Sequence, residues 1–324
     1  MPLKTIPFFV TLLGTFSLFF NSRILGNYMY PPSAREENTL YFTSAVVNGN
    51  TKEPHDSETT IIINTSLIKT HPSLLMFNAS FDSLRYLHGL PRKAPIVITI
   101  DGLMSEGHTH YHYEPNDTYE NRQRLQDYVR NLRLKFKGDK HVTILHSYTS
   151  GLLTVNLRMA MDFVNTKYVL VVQHDLRFIH DVDYKAMVQS MEDNPEILNI
   201  IRFAHDKNSL HQNYLKLEHV EDKSFCNTIF RDKKNGLEYV PQAFSDQNHF
   251  TTKDYYLWML DRLGPTPRFM ETAMMKEGFD EVRNCRKFGQ WLYGPEGSGP
   301  YIEHLDGYNK EEIAESDDDR YTVV

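Results

Sequence analysis

Cysteine is nearly missing from this chain of 324 residues: Cys226 and Cys285 are the only two. That excludes a four-cysteine zinc cluster and a disulfide framework. It leaves one bridge, if the domain sits in an oxidising lumen, or two buried thiols. Positive charge is also in deficit. The formal net charge of -7 argues against the basic face that a nucleic-acid binder needs, so nucleic acid is not an expected partner. No internal repeat or low-complexity block is present. The one glycine-rich loop, GPEGSGP at 294–300, lacks the lysine and the following helix of a P-loop. It is open to a second reading, a flexible lid over a diphosphate.

Long apolar runs are likewise rare, with one exception. TIPFFVTLLGTFSLFF, from Thr5 to Phe20, carries no charge. It is slightly short for a bilayer span and long for the core of a signal peptide, and no small-x-small cleavage site follows. The expectation is an uncleaved signal-anchor over 1–24, with a cleaved signal peptide as the alternative; either puts the remaining chain in the secretory lumen. The sequons Asn64-Thr65-Ser66, Asn78-Ala79-Ser80 and Asn116-Asp117-Thr118 agree with that compartment.

What is present is enough for a large core: 40% of the residues are apolar. From 25 to 92 the composition is mixed and polar, with short β-rich pieces such as TIIINTSLI, and is read as a stem or N-terminal extension. From 93 to 309 the pattern changes. PIVITIDG is a β-branched run of the kind a parallel strand buried on both faces shows, with Gly102 allowing a sharp turn at its end. YENRQRLQDYVRNLRLKF carries apolar residues at Leu125, Tyr128, Val129, Leu132 and Leu134 in helical spacing. HVTILHSY is a second strand. TSGLLTVNLRMAMDFVN is an apolar helix with Thr149 or Ser150 as its cap, and YVLVVQHD is a third strand. Strand, helix, strand, helix, strand at this spacing predicts a doubly wound α/β sheet, whose ligands bind beyond the carboxyl ends of the strands. Asp101 and the group Gln173, His174 and Asp175 then share one rim. Residues 310–324 form an acidic tail, in which Asp317, Asp318 and Asp319 are read as solvated.

Two carboxylates at neighbouring strand ends, one beside a histidine, suit a hard divalent cation such as Mn²⁺ or Mg²⁺ bridging diphosphate oxygens. Asp181-Val182-Asp183 has a similar spelling but precedes a helical stretch, where Asp183 is better read as an N-cap. His108, His110 and His112 alternate in the HTHYHYE segment; a zinc site there competes with a plain loop, whose Tyr111 and Tyr113 would stack on a sugar or base.

The order strand-Asp101, strand, SGLLTVNLRMAMDFVNTKYVLVVQHD and an acidic strand end resembles the nucleotide-binding half of GT-A fold glycosyltransferases, broadly the family 2-like group. The likeness spans Ala94 to Asp175, and more loosely the chain to Asp306. It implies a GT-A type doubly wound mixed sheet, Rossmann-like, behind an N-terminal membrane anchor. It also implies transfer of a sugar from a nucleotide-diphospho-sugar to a hydroxyl of a glycan or glycoprotein, metal-assisted and inverting. On that resemblance Asp101, with Gly102, meets the donor nucleoside. Asp175 is the last acid of the DxD motif and the metal ligand, with Gln173 standing where the first acid belongs and His174 between them. His304 completes the metal shell, and the base is Glu271, at a helix start, or Asp246. The implied location is a Golgi or ER membrane in single-pass type II orientation. Two rival readings are a metal-dependent phosphohydrolase and a non-catalytic lumenal protein that binds a nucleotide or glycan.

Overall fold

A computed structural model of the chain describes residues 43–47, 57–104, 116–208, 229–242, 244–271, 273–274 and 288–305. The elements in chain order are β1 (Thr43–Val47), β2 (Thr59–Thr65), α1 (Leu75–Asp82), β3 (Leu87–His88), β4 (Ile96–Ile100), α2 (Tyr119–Lys135), β5 (Val142–Ser147), α3 (Leu152–Met161), β6 (Tyr168–Gln173) and β7 (Leu176–Phe178). They continue with β8 (Val182–Asp183), α4 (Tyr184–Asp193), β9 (Ile200–Arg202), β10 (Phe230–Asp232), β11 (Leu237–Pro241), β12 (His249–Thr252), α5 (Lys253–Leu263), β13 (Gln290–Tyr293) and β14 (Ile302–His304).

Ten of the strands form one mixed sheet in the order β1-β5-β4-β2-β6-β12-β9-β13-β11-β10. Its parallel heart is β5-β4-β2-β6, the part whose continuous Val and Ile runs the sequence displays. β12 joins β6 antiparallel, and β1 closes the β5 edge antiparallel. Side chains alternate between two cores. Ile63, Ile98 and Ile144 pack with Tyr128 and Leu132 of α2 and Met187 of α4. Ile62, Val97, Leu145 and Val171 pack with Leu157 of α3 and Tyr256 of α5. Helices therefore cover both faces, and the parallel strands all end at one rim.

The boundary expected at residue 93 does not separate a stem from the sheet. β2, within the 25–92 segment, is a central strand between β4 and β6, and Ile62 and Ile63 have no exposed surface. Its threonines disguise it. Thr59 pairs with the Tyr184 hydroxyl at 2.6 Å, Thr60 with Thr166 at 2.8 Å and Thr65 with the Tyr128 hydroxyl at 2.9 Å, so each buried hydroxyl has a partner. Asn64 lies in the same strand, where its side chain accepts from Thr99 at 2.9 Å. This first sequon is not the surface-loop position that a glycan acceptor needs.

Asp183 caps α4 as expected, and Thr118 and Thr252 do the same for α2 and α5. Thr118 accepts from the Asn121 amide, Asp183 from the Ala186 amide and Thr252 from the Tyr255 amide. Leu134, in register with the helix pattern, is 60% exposed. The first twenty-four residues, the acidic tail, His108, His110, His112, Cys226 and Cys285 lie outside the described residues. Among the described residues, no helix is long and apolar enough to cross a membrane.

Candidate functional site

Asp101 stands at the carboxyl end of β4, 7% exposed. Its backbone amide donates to Thr65 at 2.8 Å. Its side chain reaches the start of α3, where Oδ1 accepts from the Gly151 amide at 2.8 Å and Oδ2 from the Ser150 hydroxyl at 2.9 Å. Asp101 thus does the capping work expected of Thr149 or Ser150, since α3 has no side-chain cap of its own. Burial pushes the Asp101 carboxyl above the usual carboxylate range, and the bonds from Gly151, Asn156 and Ser150 pull against that push.

Gly102 is required by a close crossing rather than by a sharp turn. A Cβ there would lie 2.5 Å from the backbone of Tyr148 and Thr149, because the chain beyond β4 runs beside the chain beyond β5 and pairs Leu103 with Thr149.

Gln173, the last residue of β6, is a tether. Its side-chain Nε2 donates to the Asp246 backbone carbonyl at 2.8 Å, and its own amide donates to Asn248 Oδ1 at 2.8 Å. Asn248 Nδ2 in turn donates to the Leu176 carbonyl at 2.8 Å. The loop carrying Asp246 is therefore laced to the end of β6 from both sides. Asn248, fully buried, is a site-building residue that the sequence reading did not single out.

Asp246 stands at the same rim and keeps some exposure. Burial raises its pKa to about 6, helped by the negative charges of Glu271 and Asp175 and opposed by Arg202. Glu271 sits at the start of the helical stretch that follows α5, where Met270 and Met274 are buried on the α3–α5 side of the sheet. Asp175, Asp246 and Glu271 share one electrostatic neighbourhood although they come from three separate segments.

His304 and Asp175 are brought together by a small ladder. β14 pairs with β7, placing His304 opposite Leu176 and Glu303 opposite Arg177. The Arg177 guanidinium holds the register by donating from Nη2 and from Nε to Glu303 Oε2, each at 2.8 Å. The Leu305 amide donates to the Asp175 carbonyl at 2.7 Å. His304 Nε2 then lies 3.3 Å from Asp175 Oδ2. Burial pushes the Asp175 carboxyl up, but the hydrogen bond from His304 and the charges of His174 and His304 outweigh it and leave the pKa below the ordinary value.

These residues fit a divalent cation. Asp175 Oδ1 is buried and without a hydrogen-bond partner, an acceptor the fold itself leaves unsatisfied, and an imidazole stands beside the other oxygen. Among the described residues no group of three or more His, Cys, Asp or Glu side chains gathers around a metal position. Two protein ligands, with phosphate oxygens and water filling the shell, is a usual arrangement for Mg²⁺ at phosphate-binding sites.

His174 does not reach the open rim. It is 4% exposed, its Nδ1 lies 3.3 Å from the Asn64 carbonyl, and its ring is 6.1 Å from that of His71. Burial lowers its pKa. The glycine-rich loop is fastened rather than free: Asn208, 1% exposed, donates to the Tyr293 carbonyl at 2.6 Å, and its backbone exchanges bonds with Gly297 and Ser298 at 2.7 Å each.

No protein-family model matches the chain, and no curated protein matches it. Solved structures do. S. aureus TarS 1-349 is 9% identical with a TM-score of 0.39, covering 76% of this chain and 60% of its own length. The mannosyltransferase PcManGT from Pyrobaculum calidifontis, in complex with GDP-Man and Mn²⁺, is 10% identical with a TM-score of 0.40, covering 82% of this chain and 63% of its own. A cytidylyltransferase from Leptospira borgpetersenii is 11% identical with a TM-score of 0.39, covering 75% and 79%. Glycosyltransferases and nucleotidyltransferases are thus among the structures this chain is similar to. Likenesses this distant say nothing of its substrate, and the functional reading below stands on the rim itself.

Proposed function

We propose that this protein is a glycosyltransferase that uses a nucleotide-diphospho-sugar and a divalent cation to glycosylate a hydroxyl of a glycan or glycoprotein. The observation that carries the reading is the convergence of Asp175, with its unsatisfied buried oxygen, and His304 beside the tethered carboxylate of Asp246, at the carboxyl edge of a parallel sheet.

Asp175 and His304 would hold Mn²⁺ or Mg²⁺, which when bound supplies positive charge to a departing diphosphate. Asp101, with Gly102, would shape the wall that meets the nucleoside. Its oxygens already serve Ser150 and Gly151, so its part in this reading is to fix the α3 turn against which the nucleoside lies. Asp246 would be the base. It takes the proton of the acceptor hydroxyl while the acceptor oxygen forms its bond to the anomeric carbon. The bond from that carbon to the phosphate oxygen breaks, its electron pair leaves with the nucleoside diphosphate, and the configuration inverts. A pKa near neutrality suits this work. Glu271 is the rival base; in the favoured assignment its negative charge keeps Asp246 basic. Gln173 positions Asp246 rather than binding the metal. The setting that goes with this reading is a Golgi or ER membrane, with the N-terminal segment as a type II anchor and the catalytic domain in the lumen.

The test is a transfer assay in which full-length protein is given radiolabelled UDP- and GDP-sugars, Mn²⁺ and a mixed glycan array. Product on the array that depends on Asp246 supports the reading. Cleavage of the donor to nucleoside monophosphate and sugar 1-phosphate without sugar transfer would favour the phosphohydrolase, and a folded protein that neither transfers nor hydrolyses any donor would favour the non-catalytic binder.

A further inference from the structure

Outside the rim, a groove of about 680 Å³ runs along the flank of α2 towards the end of β5. Arg130, Arg133 and Lys137 line it at helical spacing, and His146 and Tyr148 stand where β5 reaches the rim. One carboxylate, Asp127, is present and pairs with Arg130 at 3.1 Å, so positive charge is left over in a chain whose net charge is -7.

Two features mark the groove as made for a ligand. Arg133 Nε and His146 Nε2 are both buried, and neither has a hydrogen-bond partner; His146 as a whole is 8% exposed. Buried polar nitrogens without partners are uncommon in folded proteins and call for an explanation. In addition, Leu134 and Tyr148, at 60% and 58% exposed, both line this groove, setting an apolar side chain and an open aromatic ring beside its cations.

The groove is also joined to the candidate transfer site. The Tyr148–Thr149 backbone presses on Gly102, and the next residues, Ser150 and Gly151, hold Asp101. One short run of chain thus has its start in the groove and its end at the rim.

We propose that this groove binds an acidic saccharide, with sulfate, phosphate or uronate oxygens meeting Arg133, Arg130 and Lys137 and a sugar ring lying on Tyr148. Guanidinium groups match the planar oxyanion fork, and an exposed aromatic ring offers the flat apolar surface that a pyranose face needs. A merely acidic peptide would use the cations but not the ring.

The experiment uses the full-length protein and labelled tetrasaccharides that are sulfated, uronate-containing or neutral, with an oligo-glutamate peptide and inorganic sulfate as further probes. An acidic tetrasaccharide is expected to bind at least about tenfold more tightly than the neutral one and than the peptide, and inorganic sulfate is expected to compete. Arg133→Gln, the exposed pair Arg130→Gln with Lys137→Gln, and Tyr148→Ala are each expected to weaken it about tenfold. Equal binding of the neutral sugar or of the peptide, or an affinity that all three variants leave unchanged, would overturn the proposal. UDP and GDP binding measured on the same samples separates the two ideas. A wild-type protein that takes nucleotide but binds no acidic saccharide condemns the groove alone. Saccharide binding in a protein that takes no nucleotide condemns the transferase reading and leaves the groove standing.

Discussion

Gln173 donates its side-chain amide to the backbone carbonyl of Asp246 at 2.8 Å, tying the end of a central parallel strand to the loop that bears the candidate base. A glutamine where the resemblance calls for an acid is thereby accounted for. An acid at this position would face a carbonyl oxygen, and an amide donates to it. Gln173→Leu should lower kcat about tenfold to a hundredfold, in the range that misplacing a catalytic group costs, while the Kd for nucleotide and for Mn²⁺ stays unchanged. A loss of metal affinity equal to the loss of rate would instead make Gln173 a ligand.

Asp246, with a pKa raised to about 6 by burial and by the charges of Glu271 and Asp175, sets a pH dependence. A base must be ionised, so kcat/KM should climb as pH rises through about 6. Asp246→Asn should remove roughly two to four powers of ten in rate. The sign for stability is opposite. The folded protein holds this proton more tightly than the unfolded chain, so the contribution to stability is lost as pH rises from about 4 through about 6, and Asp246→Asn should be more stable than wild type at pH 8. Urea midpoints for the two proteins at pH 4 and pH 8 check the stability sign, and a wild-type kcat/KM profile across pH 5 to 8 checks the other.

Glu271→Gln separates the two candidate bases. With Asp246 as base, the variant keeps activity and its pH profile moves to lower pH, because a neighbouring negative charge has gone. With Glu271 as base, the variant is dead and no profile survives to be shifted.

Acid sensitivity follows from buried imidazoles. Burial lowers His249 to about 4 and His146 to about 4, the latter with the help of the Arg133 charge, and His71 to about 2 with further contributions from the His174 and Arg124 charges. A depressed imidazole contributes stability above the unfolded value near 6.5 that is lost as pH falls through the folded value. Fully buried His249 alone accounts for about 3 kcal/mol between pH 7 and pH 4. His249 Nε2 pairs with the Tyr256 hydroxyl at 3.0 Å, so His249→Gln should cost stability at pH 7 and flatten the acid limb. An acid limb of unchanged slope would contradict the account.

β2 as a central strand carries its own consequence. Ile62, fully buried between α3 and the sheet, should cost about 2–5 kcal/mol when cut to alanine. Thermal unfolding that leaves Ile62→Ala at the wild-type midpoint would return the segment to a stem.

What was legible in the sequence and what was not divides along physical lines. β4, β5 and β6 were legible because strands buried on both faces must be apolar throughout, and their Val and Ile runs say so. β2 was hidden because Thr59, Thr60 and Thr65 look polar in a string of letters, while in the sheet each finds a hydroxyl or hydrogen-bonding partner. The cap Asp183 was local and easily read; the cap of α3 was not, because Asp101 supplies it from another strand. The meeting of Asp175 with His304 was reachable through resemblance and not through spacing, since it depends on the pairing of β14 with β7. The tether from Gln173 was out of reach, because it ends on a backbone carbonyl that no side-chain pattern marks.

The central claim is that Asp175 and His304 hold a cation that binds a nucleoside diphosphate, and titration of UDP and GDP into the full-length protein, with and without Mn²⁺, tests it most directly. Binding of one diphosphate that strengthens at least about tenfold with Mn²⁺ and loses that gain in Asp175→Asn and His304→Ala is the predicted result. Binding that ignores Mn²⁺, or survives both substitutions unchanged, would contradict it.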